Sequence, residues 1–354
     1  MRSNRRRVPA NHRPRHPRMP QARTIGRWMT LAGLALTLLA TAAQAADKAS
    51  LQAVVDEAHA RFSAVTEGAL ADYIPALTEA DPDDFAITIV TVDGEVVGQG
   101  DTDVPFAIMS VAKPFTLALL MQQQGTDLVM EKIGVEATGL RFNSLSGIDR
   151  DEGRPLNPMV NAGAIATVSL IEADSPEQRW SRILGFYERL AGEPLDLLED
   201  VYASVSATNF RNRAVVNLLQ ANARLGADPD STLDIYNRQS CVAVTTRQLA
   251  VMGATLANGG TNPASGAQVL DAGSVDELLA ILMLNGLYDE SGAWAVRAGL
   301  PAKSGVGGGI VAVVPGKMAI AAYSPLLSAT GNSVRAMGAI EFISREQDLS
   351  VFRP

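Results

Sequence analysis

The chain has 354 residues, with 30 basic and 38 acidic side chains and three histidines. Nine arginines and two histidines fall within the first 45 residues, which hold no acidic residue; the other 309 therefore carry 21 basic against 38 acidic groups, a net −17. So acidic a surface excludes nucleic acid and anionic membrane as partners, and the single histidine and cysteine left, His59 and Cys241, exclude a multi-histidine metal site and an internal disulfide.

Taken in chain order, residues 1–45 read as a secretory leader. A basic stretch precedes the apolar run Trp28–Ala43, and Ala43-Gln44-Ala45 is a small-x-small cleavage pattern. Cleavage is expected after Ala45, with a periplasmic or secreted product; Met19 serves equally well as a start. The alternative is a basic tail with a short helix. Leu31–Ala43 is short for a membrane span, so no stable insertion is expected once the leader is cleaved. Residues 46–354 hold no repeat or low-complexity linker and read as one domain.

Leu51–Ala64 has helical periodicity, with His59 on a solvated face, and Ala71-Asp72-Tyr73-Ile74-Pro75 breaks it. Phe85–Thr91 alternates as a strand, Asp93-Gly94 is a hairpin turn, and Glu95–Val97 returns as a second strand. Phe106–Met109 leads into a helix that runs from Ser110 through Leu120 and ends near Gly125. Asn161–Ala173, Pro176–Ala191, Phe210–Leu225, Thr245–Asn258 and Ser274–Leu287 carry apolar residues at helical spacing. Gly309–Val314 and Met318–Tyr323 are apolar strands joined by Pro315-Gly316, and the helix Ser333–Arg345 closes the chain. Strands near both ends with helices between them predict an α+β protein. One antiparallel sheet would join the N- and C-terminal strands (about 71–110 and 300–354), with a helical block (about 111–299) inserted between them.

Two short motifs read as halves of one active site. Ser110-Val111-Ala112-Lys113 sets a hydroxyl and an amine one helical turn apart. A neutral Lys113 there can take the Ser110 proton and make a nucleophile. Lys303-Ser304-Gly305, at a strand edge, supplies a second cation and backbone N–H groups for an oxyanion. Serine β-lactamases and penicillin-binding proteins pair the same motifs, but no Ser-Asp-Asn occurs here, and Glu152 lies one residue too far from Asn157 for a deacylating glutamate. Ser-Lys chemistry needs no metal or organic cofactor, and none is expected.

Pro155-Leu156-Asn157-Pro158-Met159-Val160-Asn161-Ala162-Gly163-Ala164 closely resembles a signature of the serine-dependent glutaminases. Pro301-Ala302-Lys303-Ser304-Gly305-Val306-Gly307-Gly308-Gly309 resembles their C-terminal signature, and Phe142-Asn143-Ser144 and Ala71–Pro75 fit as well. The resemblance spans roughly Ala71 to Glu341. It implies a β-lactamase-like fold, hydrolysis of L-glutamine to L-glutamate and ammonia, and a homo-oligomer, dimer or tetramer. It implies Ser110 as nucleophile, Lys113 as its base, and the backbone of Ser110 and Val306 as oxyanion hole. Asn161 and Asn212 would bind substrate, with Tyr236, Tyr288 and, near the entrance, Tyr73. Tyr288 would also shuttle a proton to the leaving ammonia, a phenol beside lysine being easier to ionise. Taken singly, these tyrosines also read as half-buried core residues, and Asn161 as a helix cap.

One position departs from the family. A Ser-Glu seven residues before the second asparagine receives the substrate's α-ammonium; counting back from Asn212 reaches Val205, after Ser204. The leading expectation is a glutaminase-type amidohydrolase. The alternatives are a same-fold enzyme for an amide without a free α-amino group, or a non-catalytic glutamine- or peptide-binding protein.

Overall fold

The computed structural model describes residues 47–139, 144, 145, 148 and 152–353. The expected leader, with its cleavage point, and Phe142-Asn143 lie outside the described residues. Seven strands occur among those described: β1 (Ala86–Thr91), β2 (Val96–Gly100), β3 (Phe106–Ala107), β4 (Ala243–Val244), β5 (Ala302–Ser304), β6 (Gly309–Val314) and β7 (Met318–Tyr323). The helices, in order, are α1 (residues 47–62), α2 (Ala112–Gln124), α3 (Thr126–Lys132), α4 (Asn161–Leu170), α5 (Pro176–Ala191) and α6 (Glu199–Thr208). They continue with α7 (Phe210–Ala221), α8 (Pro229–Ser240), α9 (Thr246–Ala257), α10 (Ala272–Asn285), α11 (Ser291–Arg297) and α12 (Val334–Glu346).

The main sheet has the order β2-β1-β7-β6-β5, and every neighbouring pair is antiparallel. Ala86 faces Tyr323 and Thr91 faces Met318, so strands from the two ends of the chain pair along their whole length, as expected. The sheet is covered on both faces, which is why all six residues of β1 are buried, Thr88 and Thr91 included. Ile87 and Ile89 pack with Val54, Val55 and Ala58 of α1 and with Ala339, Ile340 and Ile343 of α12. Val90 faces the other way, into the core shared with Leu249, Ala250 and Ala254 of α9. Thr88, on that same face, is matched hydroxyl to hydroxyl with Thr246 at 2.8 Å.

Behind α9 lies the helical block, and α2 runs through it. Every residue from Ala112 to Met121 is buried; a helix apolar on all sides has no face to offer water. Helices α4, α5 and α10 pack around it. This burial holds the residues at its N-terminal end rigidly, and the site is built there.

β6, β7 and α5 have the expected bounds. β2 instead runs from Val96 to Gly100, because its pairing with β1 continues to Ala86. The helix after Met109 begins as a tight 3-10 turn over Met109–Val111 before α2 proper. α10 starts earlier, under an Asp271 cap, and ends at Asn285 rather than Leu287. Helices α3, α6, α8 and α11 were not expected from periodicity. His59 is not a solvated face residue: it stacks on Phe85 with ring centroids 4.8 Å apart, and Nε2 lies 3.2 Å from the Phe85 carbonyl oxygen.

Candidate active site

Ser110 follows Met109, a buried residue with φ of 46°. That left-handed conformation is costly for a side-chain-bearing residue; it turns the chain sharply from β3 into α2. Three residues on, Lys113 is 2 % exposed. Its Nζ donates to the Met159 carbonyl (3.0 Å) and the Asn161 Oδ1 (2.8 Å), and lies 3.4 Å from the Tyr288 hydroxyl. No carboxylate is among these partners. Burial therefore lowers the Lys113 pKa to about 7.

The Asn-Pro-Met-Val-Asn-Ala-Gly loop provides these acceptors. Asn157 Oδ1 accepts from the Met159 and Val160 amides at 3.0 and 3.2 Å, while its Nδ2 donates to the Glu136 carbonyl at 2.8 Å. Gly163 fits beneath, since a β-carbon there would stand 2.0 Å from the Asn157 oxygen. Asn161 opens α4 without acting as its cap, which is Val160. Its Nδ2 donates to Asn212 Oδ1 at 2.9 Å, tying α4 to α7.

Lys303, on β5, is wholly buried. It donates to the carbonyls of Gly286 and Ser304, both at 2.7 Å, and its Nζ sits 3.9 Å from the centre of the Tyr288 ring. Burial, and then the neighbouring Lys113, hold its pKa well below the ordinary lysine value. Lys303 thus fastens the turn that carries Tyr288. That turn is a 3-10 segment in which Tyr288 has φ of 58°, not the end of a helix.

The Tyr288 hydroxyl lies 3.4 Å from Lys113 Nζ and is near enough to the Ser110 side chain for that hydroxyl to lower its pKa. From the sequence, this phenol is expected to ionise more easily beside a lysine; the structure gives the opposite direction. Desolvation raises its pKa, and the neighbouring Ser110 side chain offsets this only in part. Both nearby lysines are themselves shifted toward neutrality, so neither supplies a full charge to hold a phenolate. Tyr288 stays a hydroxyl, able to pass a proton along rather than to hold a negative charge.

In front of this cluster lies a cleft of about 140 Å³. Tyr73, Ser110, Asn161, Val205, Asn212, Tyr236 and Val306 all line it, while Lys113, Lys303 and Tyr288 stand behind. Gly305 lets β5 end against the nucleophile: a β-carbon on it would lie 3.2 Å from the Ser110 nitrogen and 2.8 Å from the Ile108 oxygen. The Gly305 position is thus closed to any side chain, and Val306 follows at the cleft wall.

Residues given no site role from the sequence complete the cleft: Ile74, Met109, Thr208, Asn209, Arg211 and Ser240. Ile74 and Arg211 fall within motifs that match the family, Ala71–Pro75 and Arg211-Asn212, without a role of their own. Ser204, beside Val205, accepts from the Ala76 amide at 3.1 Å, which pins the Tyr73 segment to α6. Tyr236 is buried on α8, and burial raises its pKa. Glu152 does not line the cleft. Among the described residues, no group of three or more His, Cys, Asp or Glu side chains is arranged to hold a metal ion.

A family model described as Glutaminase matches residues 68–352. A glutaminase of Colwellia psychrerythraea (strain 34H) is 46% identical over 302 residues, covering 85% of this chain and 97% of its own length. Glutaminase 1 of Escherichia coli (strain K12) is 47% identical over 307 residues, 87% of this chain and 99% of its own. A solved structure described as the probable glutaminase ybaS superposes with a TM-score of 0.85 at 47% identity, covering 87% of this chain and 99% of that one.

Proposed function

The chain belongs to the glutaminase family, and from that premise we propose that it hydrolyses the side-chain amide of L-glutamine or of a glutamine derivative, releasing ammonia, through an acyl-enzyme on Ser110. The observation that carries this reading is Lys113: wholly buried, without a carboxylate partner, near pKa 7, and linked to Ser110 through one hydroxyl. A lysine so placed is a base at neutral pH.

Ser110 Oγ attacks the amide carbon as its proton passes to Lys113, by way of the Tyr288 hydroxyl. The C–N bond breaks, and the nitrogen takes that proton and leaves as ammonia. Water then attacks the ester and gives its proton to the same base; the acid departs, and Ser110 recovers its hydrogen. The N–H groups of Ser110 and Val306 stabilise the oxyanion in both steps. Asn161 and Asn212 orient the substrate, with Tyr73 and Tyr236 bounding it.

Ammonia release and mass spectrometry of the quenched enzyme test this. The native protein should gain the acyl mass, and Ser110→Ala should release no ammonia and gain none. Undiminished hydrolysis by Ser110→Ala would overturn the covalent route. We also propose export with removal of residues 1–45, supported by the tripartite pattern alone; N-terminal sequencing of the exported protein should begin at Ala46.

A further inference from the structure

The described lining of the cleft in front of Ser110 holds no anion. Where a substrate ammonium would need a carboxylate, the wall is instead apolar: Val205, 8 % exposed, clusters with Met109, Ile74 and Val306. Asn161 and Tyr288, on the inner side, are already engaged by the amines of Lys113 and Lys303, and among the described residues no counter-charge stands there for a further ammonium.

Among the described residues, the nearby carboxylates do not fill the gap. Glu199 and Asp200 share α6 with Val205 but are exposed and do not line the cleft; five or six residues upstream, they stand roughly 8–9 Å away along the axis. Asp72 is exposed beside Tyr73, and Asp289 lines the separate cavity on the other side of that tyrosine. Asp234 is engaged by Tyr202 and Arg238.

We propose that this cleft selects glutamine-type amides whose α-nitrogen bears no charge, N-acylated glutamine being the substrate class, and that Val205 is the specificity-determining residue. The inference rests on the amidase reading above and narrows its substrate. Space supports it as well. Tyr73, 53 % exposed, lines both the cleft and the adjoining cavity of about 410 Å³, so an acyl group on the nitrogen has room to extend past it. An ammonium in the same place would lose water and gain no partner.

The test compares N-acetyl-L-glutamine, L-glutamine and glutaramate, the last having no α-nitrogen. Calorimetry on the Ser110→Ala protein reads affinity without hydrolysis. N-acetyl-L-glutamine and glutaramate should each bind at least about tenfold more tightly than L-glutamine, and kcat/KM of the native enzyme should follow the same order. Val205→Glu should raise kcat/KM for L-glutamine by about tenfold or more and lower it for N-acetyl-L-glutamine. L-Glutamine bound as tightly as N-acetyl-L-glutamine by the Ser110→Ala protein would overturn the proposal, whether or not Val205→Glu folds. The amidase reading fails separately, if the native protein releases ammonia from none of the three amides.

Discussion

Cations are buried in two regions of this molecule, and they are held differently. Beside the sheet, Arg335 is 2 % exposed and donates to three carbonyls, those of Val65 (2.6 Å), Pro82 (3.0 Å) and Asp83 (3.2 Å). It fastens α12 to the segments leading into β1. At the cleft, Lys113 and Lys303 are equally buried, but their amines lie close enough to each other that Lys113 further lowers the Lys303 pKa. Arginine keeps its charge wherever it is placed, so a ring of carbonyls turns it into a structural pin. Lysine can shed its proton, so the same burial turns it into a base. One environment was built to hold a charge and the other to give one up.

The largest consequence falls on catalysis. Lys113→Met should lower kcat/KM by roughly three to six orders of magnitude, because nucleophile and base act as one unit. The same substitution should leave the fold intact or make it more stable by about 1–3 kcal/mol, since it removes a buried amine without a counter-ion. Ammonia release and urea unfolding read the two effects. A stability loss with activity retained would place Lys113 with Arg335, as a pin.

Arg335→Met should do the reverse. Losing donors to three carbonyls should cost about 2–4 kcal/mol, while kcat/KM per folded molecule is unchanged. A fall in kcat/KM at full folding would erase the contrast between the two regions.

Smaller in size is a pH effect. Both lysines have folded pKa values below the ordinary value of 10.5, Lys113 at about 7, so the unfolded chain binds more protons in between. Stability should therefore rise with pH from about 7 toward 10.5, by up to about 1.4 kcal/mol per pH unit for each group, and be lowest below that window. Urea midpoints from about pH 6.5 to 9.5 span most of that window, and Lys113→Met should flatten part of the rise. An unchanged slope in that variant would assign the effect elsewhere.

How much of this was legible follows from what each element depends on. β6, β7 and α5 are fixed locally: apolar strands around a Pro-Gly turn, and a helix opened by Ser175-Pro176 and closed by Gly192. Helix α8 buries Thr232, Asn237, Gln239 and Ser240 among its apolar residues, and α6 buries only Val205, so neither shows a plain apolar stripe in the sequence. Their signals were the acidic first turn Glu199-Asp200 and the Asp228-Pro229 cap. Ser110, Lys113 and Lys303 stood out because their chemistry is in the motif. The direction of the Tyr288 shift did not, since it is set first by burial of the phenol itself, which only the folded chain creates. Val205 was legible as a position, but the acid-free wall around it needed Ile74 and Met109 brought alongside.

The most direct test of the central claim is the titration of Lys113 itself. Lysine labelled with ¹³C at Cε, assigned by comparison with Lys113→Met, can be followed by NMR across the pH range in the native protein. We expect a midpoint near 7, about where burial sets it, with kcat/KM rising through the same midpoint. A midpoint near the ordinary 10.5 would leave Lys113 charged at neutral pH and contradict its role as the base.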